Sequence, residues 1–164
     1  MDATHAHLLT NHIPILGSIF GVILLIIGML LKNKAVEVTA ISTILLASIF
    51  TIPVYLTGEE AEHKVEHLQG VSEHELEEHE EHAELSLRLM LVGGRLALMT
   101  LASYKVAPKL TKTARISTLI FTGFAFVSLI PLANHGGKIM HSELRDSVPD
   151  SQSVIEDHED DDTH

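Results

Sequence analysis

Histidine and glutamate side chains crowd one polar stretch of the chain, residues 58–84, which holds five of the twelve histidines. Imidazole nitrogen and carboxylate oxygen together are donors that suit zinc and non-haem iron. In the first half of the stretch the donors lie three and four residues apart, so a helix would align them on one stripe. In the second half, two histidines share one helical turn. The predicted metal ligands are Glu59, Glu62, His63, His79 and His82.

Histidines also lie close to the ends of the apolar segments of the chain. Helical bundles build cofactor sites from side chains on facing helices, and two neutral imidazoles that face each other can hold a haem iron. The predicted cofactor-binding residues are His12, His79, His135 and His141. Since the chain has no cysteine, covalent attachment of haem through C-x-x-C-H is excluded. On the residues alone, the many neighbouring carboxylates favour a metal ion over haem.

Four apolar segments must position these side chains, and each is close to the ~20 residues that cross a bilayer as a helix. They are residues 13–31, 38–56, 85–104 and 116–133. We therefore predict an all-α integral membrane four-helix bundle in residues 1–143, with residues 59–84 as an outward-facing helical extension. Residues 144–164 are acidic and poor in apolar side chains, which predicts a disordered tail.

The basic residues predict the orientation of the bundle. Two short connections between apolar segments are rich in basic residues: Lys32 and Lys34 lie in the first, and Lys105, Lys109, Lys112 and Arg115 in the second. The positive-inside rule puts both connections in the cytoplasm, so both termini and the polar stretch would face the periplasmic side of an inner membrane. The formal net charge of −11 then lies mostly outside, which argues against nucleic acid as a partner. The expected partner is the lipid bilayer.

A short phrase occurs twice and predicts an internal repeat. A proline is followed five residues later by a glycine, and five residues after that by a histidine. The two copies are Pro53, Gly58 and His63, and Pro131, Gly136 and His141. Since both copies leave the membrane on the same side, we predict two parallel helical hairpins related by a pseudo-twofold axis along the membrane normal.

Several of these motifs resemble a family of predicted four-helix bacterial membrane proteins, a domain of unknown function. The motifs are Asn11-His12-x-Pro14, Gly58-Glu59-x-Ala61-Glu62, His79-Glu80-x-x-Ala83, and His135-Gly136-Gly137 followed by His141. The resemblance covers roughly residues 8–143. Some members of that family look to be fused to c-type cytochrome domains, which implies an inner-membrane protein linked with redox modules. Residues 1–164 contain no C-x-x-C-H, so no such cytochrome domain is expected within them.

Three functions are compatible with the sequence. The resemblance favours a non-covalent haem b protein that transfers electrons, with a periplasmic or membrane cytochrome as its partner. The alternatives are a membrane protein that binds a zinc or iron ion, and a structural subunit without a cofactor. The residues assign no reaction, so enzymatic activity stays open. Arg95, in the third apolar segment, is explained by snorkelling or by packing against a second copy in a homo-oligomer.

Overall fold

The computed structural model describes residues 3–66, 71 and 73–140, and the regular secondary structure in these residues is helical throughout. The helices are α1 (Ala3–Thr10), α2 (His12–Leu31), α3 (Lys34–Val65), α4 (Glu73–Val106) and α5 (Thr111–Met140), with a 3₁₀ turn at Pro108–Leu110. Four helices, with α1 and α2 counted as one, are long and apolar enough to cross a membrane. The predicted all-helical architecture with four apolar helices is therefore confirmed. The predicted tail, residues 144–164, lies outside the described residues.

The helices pack as two hairpins laid side by side. Helix α2 packs against α3, and α4 packs against α5, because a short connection joins the members of each pair. The hairpins meet where α3 packs on α4 and α2 packs on α5, and α1 lies against α3. The buried core residues are Leu25, Ala40, Ile41, Ile44 and Ala97 in one cluster, and Ala47, Met90, Ala125 and Leu129 in a second. Alanines in both clusters let the helix backbones approach closely.

Helices α3 and α4 continue without a break from the apolar segments into the polar stretch. Helix α3 runs through Pro53 as far as Val65, and α4 begins at Glu73. A helix of 32 residues is about 48 Å long, whereas the hydrocarbon core of a bilayer is about 30 Å thick. The polar ends of α3 and α4 therefore extend well beyond the apolar segments. The histidines and glutamates of the polar stretch that the structure describes lie on these extensions or, for Glu66, directly after α3.

A tight turn joins α2 to α3 at the opposite end of the bundle. Lys32 adopts the left-handed conformation with φ of 52°, and the following N–H of Asn33 donates to Gly28 O. The side chain of Asn33 then caps α3, because its Oδ1 accepts from the backbone N–H groups of Ala35 and Val36. The turn places Lys32 at the same end as the connection between α4 and α5.

The two hairpins approach closely where α3 crosses α4 at Gly94. Ser48 Oγ donates a hydrogen bond of 2.7 Å to the backbone oxygen of Met90, one turn earlier on α4. A Cβ at Gly94 would lie 2.6 Å from Ser48 Cβ and closer still to Ser48 Oγ. The absence of a side chain at Gly94 is therefore what permits this crossing.

We expect Gly94→Ala to destabilise the bundle, by about 1–3 kcal/mol, because the added methyl group must displace Ser48 or separate the helices. Gly123→Ala provides the matched control, since a Cβ at Gly123 meets nothing within 4 Å. The measurement is the free energy of unfolding of both variants in the same detergent. Equal stability of the two variants would show that the crossing at Gly94 is not close.

Many large apolar side chains lie on the outside of the bundle. Examples with about half or more of their surface exposed are Leu16, Phe20, Leu46, Leu98 and Phe124. Soluble monomers rarely expose a continuous apolar surface of this extent. The exposed surface of the four helices is thus consistent with a bilayer around it, and Arg95 is exposed on the same outer surface.

Candidate functional site

One group of metal-ligand side chains lies at the polar end of the α4–α5 hairpin. Glu78 and His82 are one turn apart on α4, and His135 faces them from the last two turns of α5. The ligand atoms of the three residues all lie within 4.8 Å of one another, and each side chain is partly buried. They meet because α4 and α5 pack side by side and both continue beyond their apolar segments.

The two imidazole rings of this group are stacked and held in one orientation. The ring centroids of His82 and His135 lie 5.3 Å apart, with 29° between the ring planes. His82 Nδ1 lies 2.7 Å from the main-chain oxygen of Glu78. His135 Nδ1 lies 2.6 Å from Glu75 Oε2. Each ring therefore has one nitrogen anchored to an oxygen of α4.

These hydrogen bonds also define the tautomer of both rings. A carbonyl oxygen and an ionised carboxylate oxygen can only accept, so Nδ1 of each ring must donate. In the neutral ring the lone pair is then on Nε2, where it is available to a metal ion. Histidines that bind metals usually donate the other ring N–H to a carbonyl or a carboxylate. His82 donates to a main-chain carbonyl, and His135 donates to a carboxylate.

Glu75 is the acidic partner behind His135. Its side chain is only 13% exposed, and its Oε1 lies 3.8 Å from Lys138 Nζ. A carboxylate in this position stabilises His135 when the ring is bound to a metal and also when the ring is protonated. Metal ions and protons therefore compete for the same imidazole.

His79 lies one turn from His82 and packs against α5. Its Nδ1 lies 3.1 Å from the main-chain oxygen of Leu132, which again leaves Nε2 as the acceptor of the neutral ring. A Cβ at Gly136 would lie 3.0 Å from His79 Cε1, so the glycine allows the ring to reach the backbone of α5. Burial lowers the pKa of His79, and the nearby His7, His135 and His82 lower it further when they are protonated, so the neutral ring is favoured at the edge of the same cluster.

His7 makes the same contacts in the first hairpin. Its Nδ1 lies 3.0 Å from the main-chain oxygen of Val54, and a Cβ at Gly58 would lie 2.9 Å from its Cε1. His7 and His79 therefore each place an imidazole over a glycine and bind the carbonyl four residues before that glycine. The first hairpin has Thr57 at the position that His135 takes relative to the glycine of the second.

The predicted ligands of the first half of the polar stretch lie elsewhere, in a cleft between α3 and α4. The cleft has a volume of about 480 Å³ and contains Glu59, Glu62 and His63. The rest of its lining is Glu66, Glu73, Leu76, Glu77 and Glu80. Six carboxylates facing one cleft make a strongly negative potential that concentrates cations. The five predicted metal ligands are thus distributed between this cleft and the cluster that contains His79 and His82.

The four predicted cofactor-binding residues are also placed differently. His79 and His135 lie in the cluster described above. His12 is exposed at the first residue of α2, outside the group of close ligand atoms. His141 lies outside the described residues.

Sequence reasoning missed Glu75 and Glu78, which belong to the cluster, and His7, which makes the matching contacts in the first hairpin. Spacing along α4 is the signal that could have found the glutamates, because Glu75, Glu78 and His82 follow one another at three and four residues. His7 could have been found by extending the proline–glycine repeat to the helix that packs against each glycine.

No protein-family model matches the chain, and comparisons with curated proteins and with solved structures found no match. The resemblance to the four-helix family with cytochrome fusions therefore stays a prediction.

Proposed function

We propose that this chain is a membrane protein that binds one divalent transition-metal ion, with zinc the best match, through Glu78, His82 and His135. The observation that carries the proposal is the orientation of the two imidazoles. Each ring has Nδ1 beside an oxygen acceptor, which leaves Nε2 available in the neutral ring. One ligand atom of each of Glu78, His82 and His135 lies within 4.8 Å of those of the other two. This is the donor arrangement of a protein metal site.

The number and type of donors favour zinc. Zinc binds imidazole nitrogen and carboxylate oxygen at about 2.0–2.2 Å, so two donors on one ion lie at most about 4 Å apart. Donors that now lie within 4.8 Å of one another would have to come closer by side-chain rotation to share one ion. Three protein ligands leave a fourth position for water or for the nearby His79. The same donors suit non-haem iron, which is the second choice of ion.

A haem b protein, the first expectation from the sequence, stays a prediction. Its first place among the expectations rests on the resemblance alone, as does a cytochrome partner. The cluster favours an ion, because Glu75 and Glu78 supply carboxylates that a haem pocket does not use. In addition, His82 and His135 are stacked side by side, whereas bis-histidine haem needs imidazoles on opposite faces of the porphyrin.

Elemental analysis and an absorption spectrum of the detergent-purified full chain test the proposal. We expect about one zinc per chain and no haem absorption band, with zinc restored by titration after removal with a chelator. A haem band with no stoichiometric zinc would support the haem alternative. If the purified protein binds neither, the structural-subunit interpretation is left.

Zinc occupancy is expected to fall as the pH drops below about 6.5, the pKa of an unperturbed histidine side chain. Ligation requires neutral imidazole, so protons displace the ion in acid and binding is complete at higher pH. Zinc titrations at a series of pH values measure this. Occupancy that does not change between neutral pH and pH 5 would argue against ligation by histidine.

We further propose that the cluster faces the periplasm, with both termini on that side of an inner membrane. The basic connections at the opposite end of the bundle support this orientation. Single cysteines in place of the exposed Glu60 and Lys109 should react with an impermeant reagent from opposite sides. Labelling of Lys109→Cys in intact cells would contradict the orientation.

We also infer that the two hairpins are repeats. The matched contacts of His7 with Gly58 and of His79 with Gly136 support this, as does a second pair of contacts at corresponding positions. In that pair, Gly21 lies against Ile44 and Gly93 lies against Thr122. The repeat implies that the metal cluster arose in one hairpin only, where His82 and His135 replace threonines of the other.

A further inference from the structure

A cleft lined by cationic side chains lies at the end of the bundle opposite the histidine cluster. Its volume is about 470 Å³, and the ends of α2, α3, α4 and α5 meet there. The lining residues are Met29, Lys32, Lys34, Glu37, Tyr104, Lys112 and Arg115. Among the described residues, Glu37 is the single carboxylate at this end of the molecule. The charge of the cleft is therefore strongly positive.

Glu37 organises one wall of the cleft. Its side chain is only 3% exposed, and its two oxygens accept hydrogen bonds from the Tyr104 hydroxyl and the Arg115 guanidinium. The carboxylate neutralises Arg115, so the positive charge that is not balanced within the wall comes from the three lysines. These lysines are exposed and have room to move towards a bound anion.

The wall contains a buried donor without a partner and a cationic group held beside the cleft. Arg115 Nε is buried and has no hydrogen-bond partner among the described residues, although a buried donor without a partner costs about 1–3 kcal/mol. Lys34 Nζ lies 5.1 Å from the centre of the Tyr104 ring, so a cation–π contact holds one ammonium group beside the cleft. An oxygen-rich anion in the cleft would accept from the Lys34 ammonium group, whereas Arg115 Nε is covered by protein atoms.

We infer that this cleft binds the phosphate group of an anionic headgroup, a chemistry that inorganic phosphate shares. Guanidinium and ammonium groups around one concave surface are the usual protein partners of phosphate. The cleft lies where the apolar segments end, which is the depth of phospholipid headgroups. Basic pockets between membrane helices bind acidic lipids in this way. An anionic phospholipid is therefore the source that the position favours.

The test is native mass spectrometry of the delipidated full chain in detergent, with phosphatidylglycerol or phosphatidylcholine added. The decisive variant is Lys32→Gln with Lys112→Gln, which removes two charges from the cleft and leaves Glu37 and Arg115 intact. The matched control is Lys105→Gln with Lys109→Gln, which removes two charges from the same end outside the cleft. A third arm adds excess inorganic phosphate.

We expect phosphatidylglycerol to bind more tightly than phosphatidylcholine. At about 1 kcal/mol per lysine, the cleft variant should bind it roughly thirtyfold more weakly, and the control should bind it nearly as the native chain does. Displacement of the lipid by inorganic phosphate would support the phosphate site and assign it to the soluble anion. Equal losses in both double variants, or no preference for the anionic lipid, would overturn the inference.

Discussion

Replacement of His135 by alanine is expected to lower the affinity for zinc by about a hundredfold or more. Loss of a residue that hydrogen-bonds to a metal ligand typically lowers metal affinity 10–100-fold. Loss of the ligand itself lowers it by at least as much. The substitution removes one imidazole of three donors and also leaves Glu75 without its hydrogen-bond partner on α5. Competition with a chromophoric zinc chelator measures the affinity of the native chain and the variant.

His74→Ala is the matched control, because His74 lies on the same helix and is exposed. We expect it to bind zinc as the native chain does. Glu75→Gln separates positioning from ligation, since it keeps all three ligands and weakens the acceptor of His135 Nδ1. We expect Glu75→Gln to lower the affinity for zinc about tenfold to a hundredfold. Full zinc occupancy in a His82→Ala, His135→Ala double variant with native helicity would eliminate the site.

Replacement of Glu37 by alanine is expected to lower the free energy of unfolding by about 3–5 kcal/mol. Removal of one partner of a buried ion pair leaves the other charge without compensation, and Arg115 and Tyr104 would both lose their acceptor. The measurement is unfolding in a mixed detergent series followed by circular dichroism. Glu60→Ala is the control, since Glu60 pairs with Lys64 on an exposed helix face and should cost less than about 1 kcal/mol.

A double variant tests whether the cost of Glu37→Ala arises from the stranded charge. When Glu37 and Arg115 are both replaced by methionine, no buried charge is left unpaired, and such replacements are often neutral. We therefore expect the double variant to be more stable than Glu37→Ala. If the double variant is the less stable of the two, the cost comes from packing around Glu37 and the electrostatic explanation is wrong.

The four apolar helices and the concentration of ligand side chains at one end could both be predicted from the sequence. Hydrophobicity adds up residue by residue along a segment, so an apolar run of about 20 residues identifies a spanning helix without knowledge of its neighbours. The helical period of 3.6 residues also predicts His79 on the inward face of α4 and Glu77 on the opposite face, and His79 is partly buried whereas Glu77 is exposed. These properties depend on local sequence.

Which side chains meet across helices was decided by the tertiary structure alone. His82 and His135 are far apart in the sequence, as are Glu37 and Arg115, and neither pair was predicted. Their meeting depends on how far each helix is rotated about its axis and how far it slides along its neighbour. Those two quantities are set by close packing at a few small residues, such as Gly94 against Ser48, and a hydrophobic pattern does not encode which small residues pair.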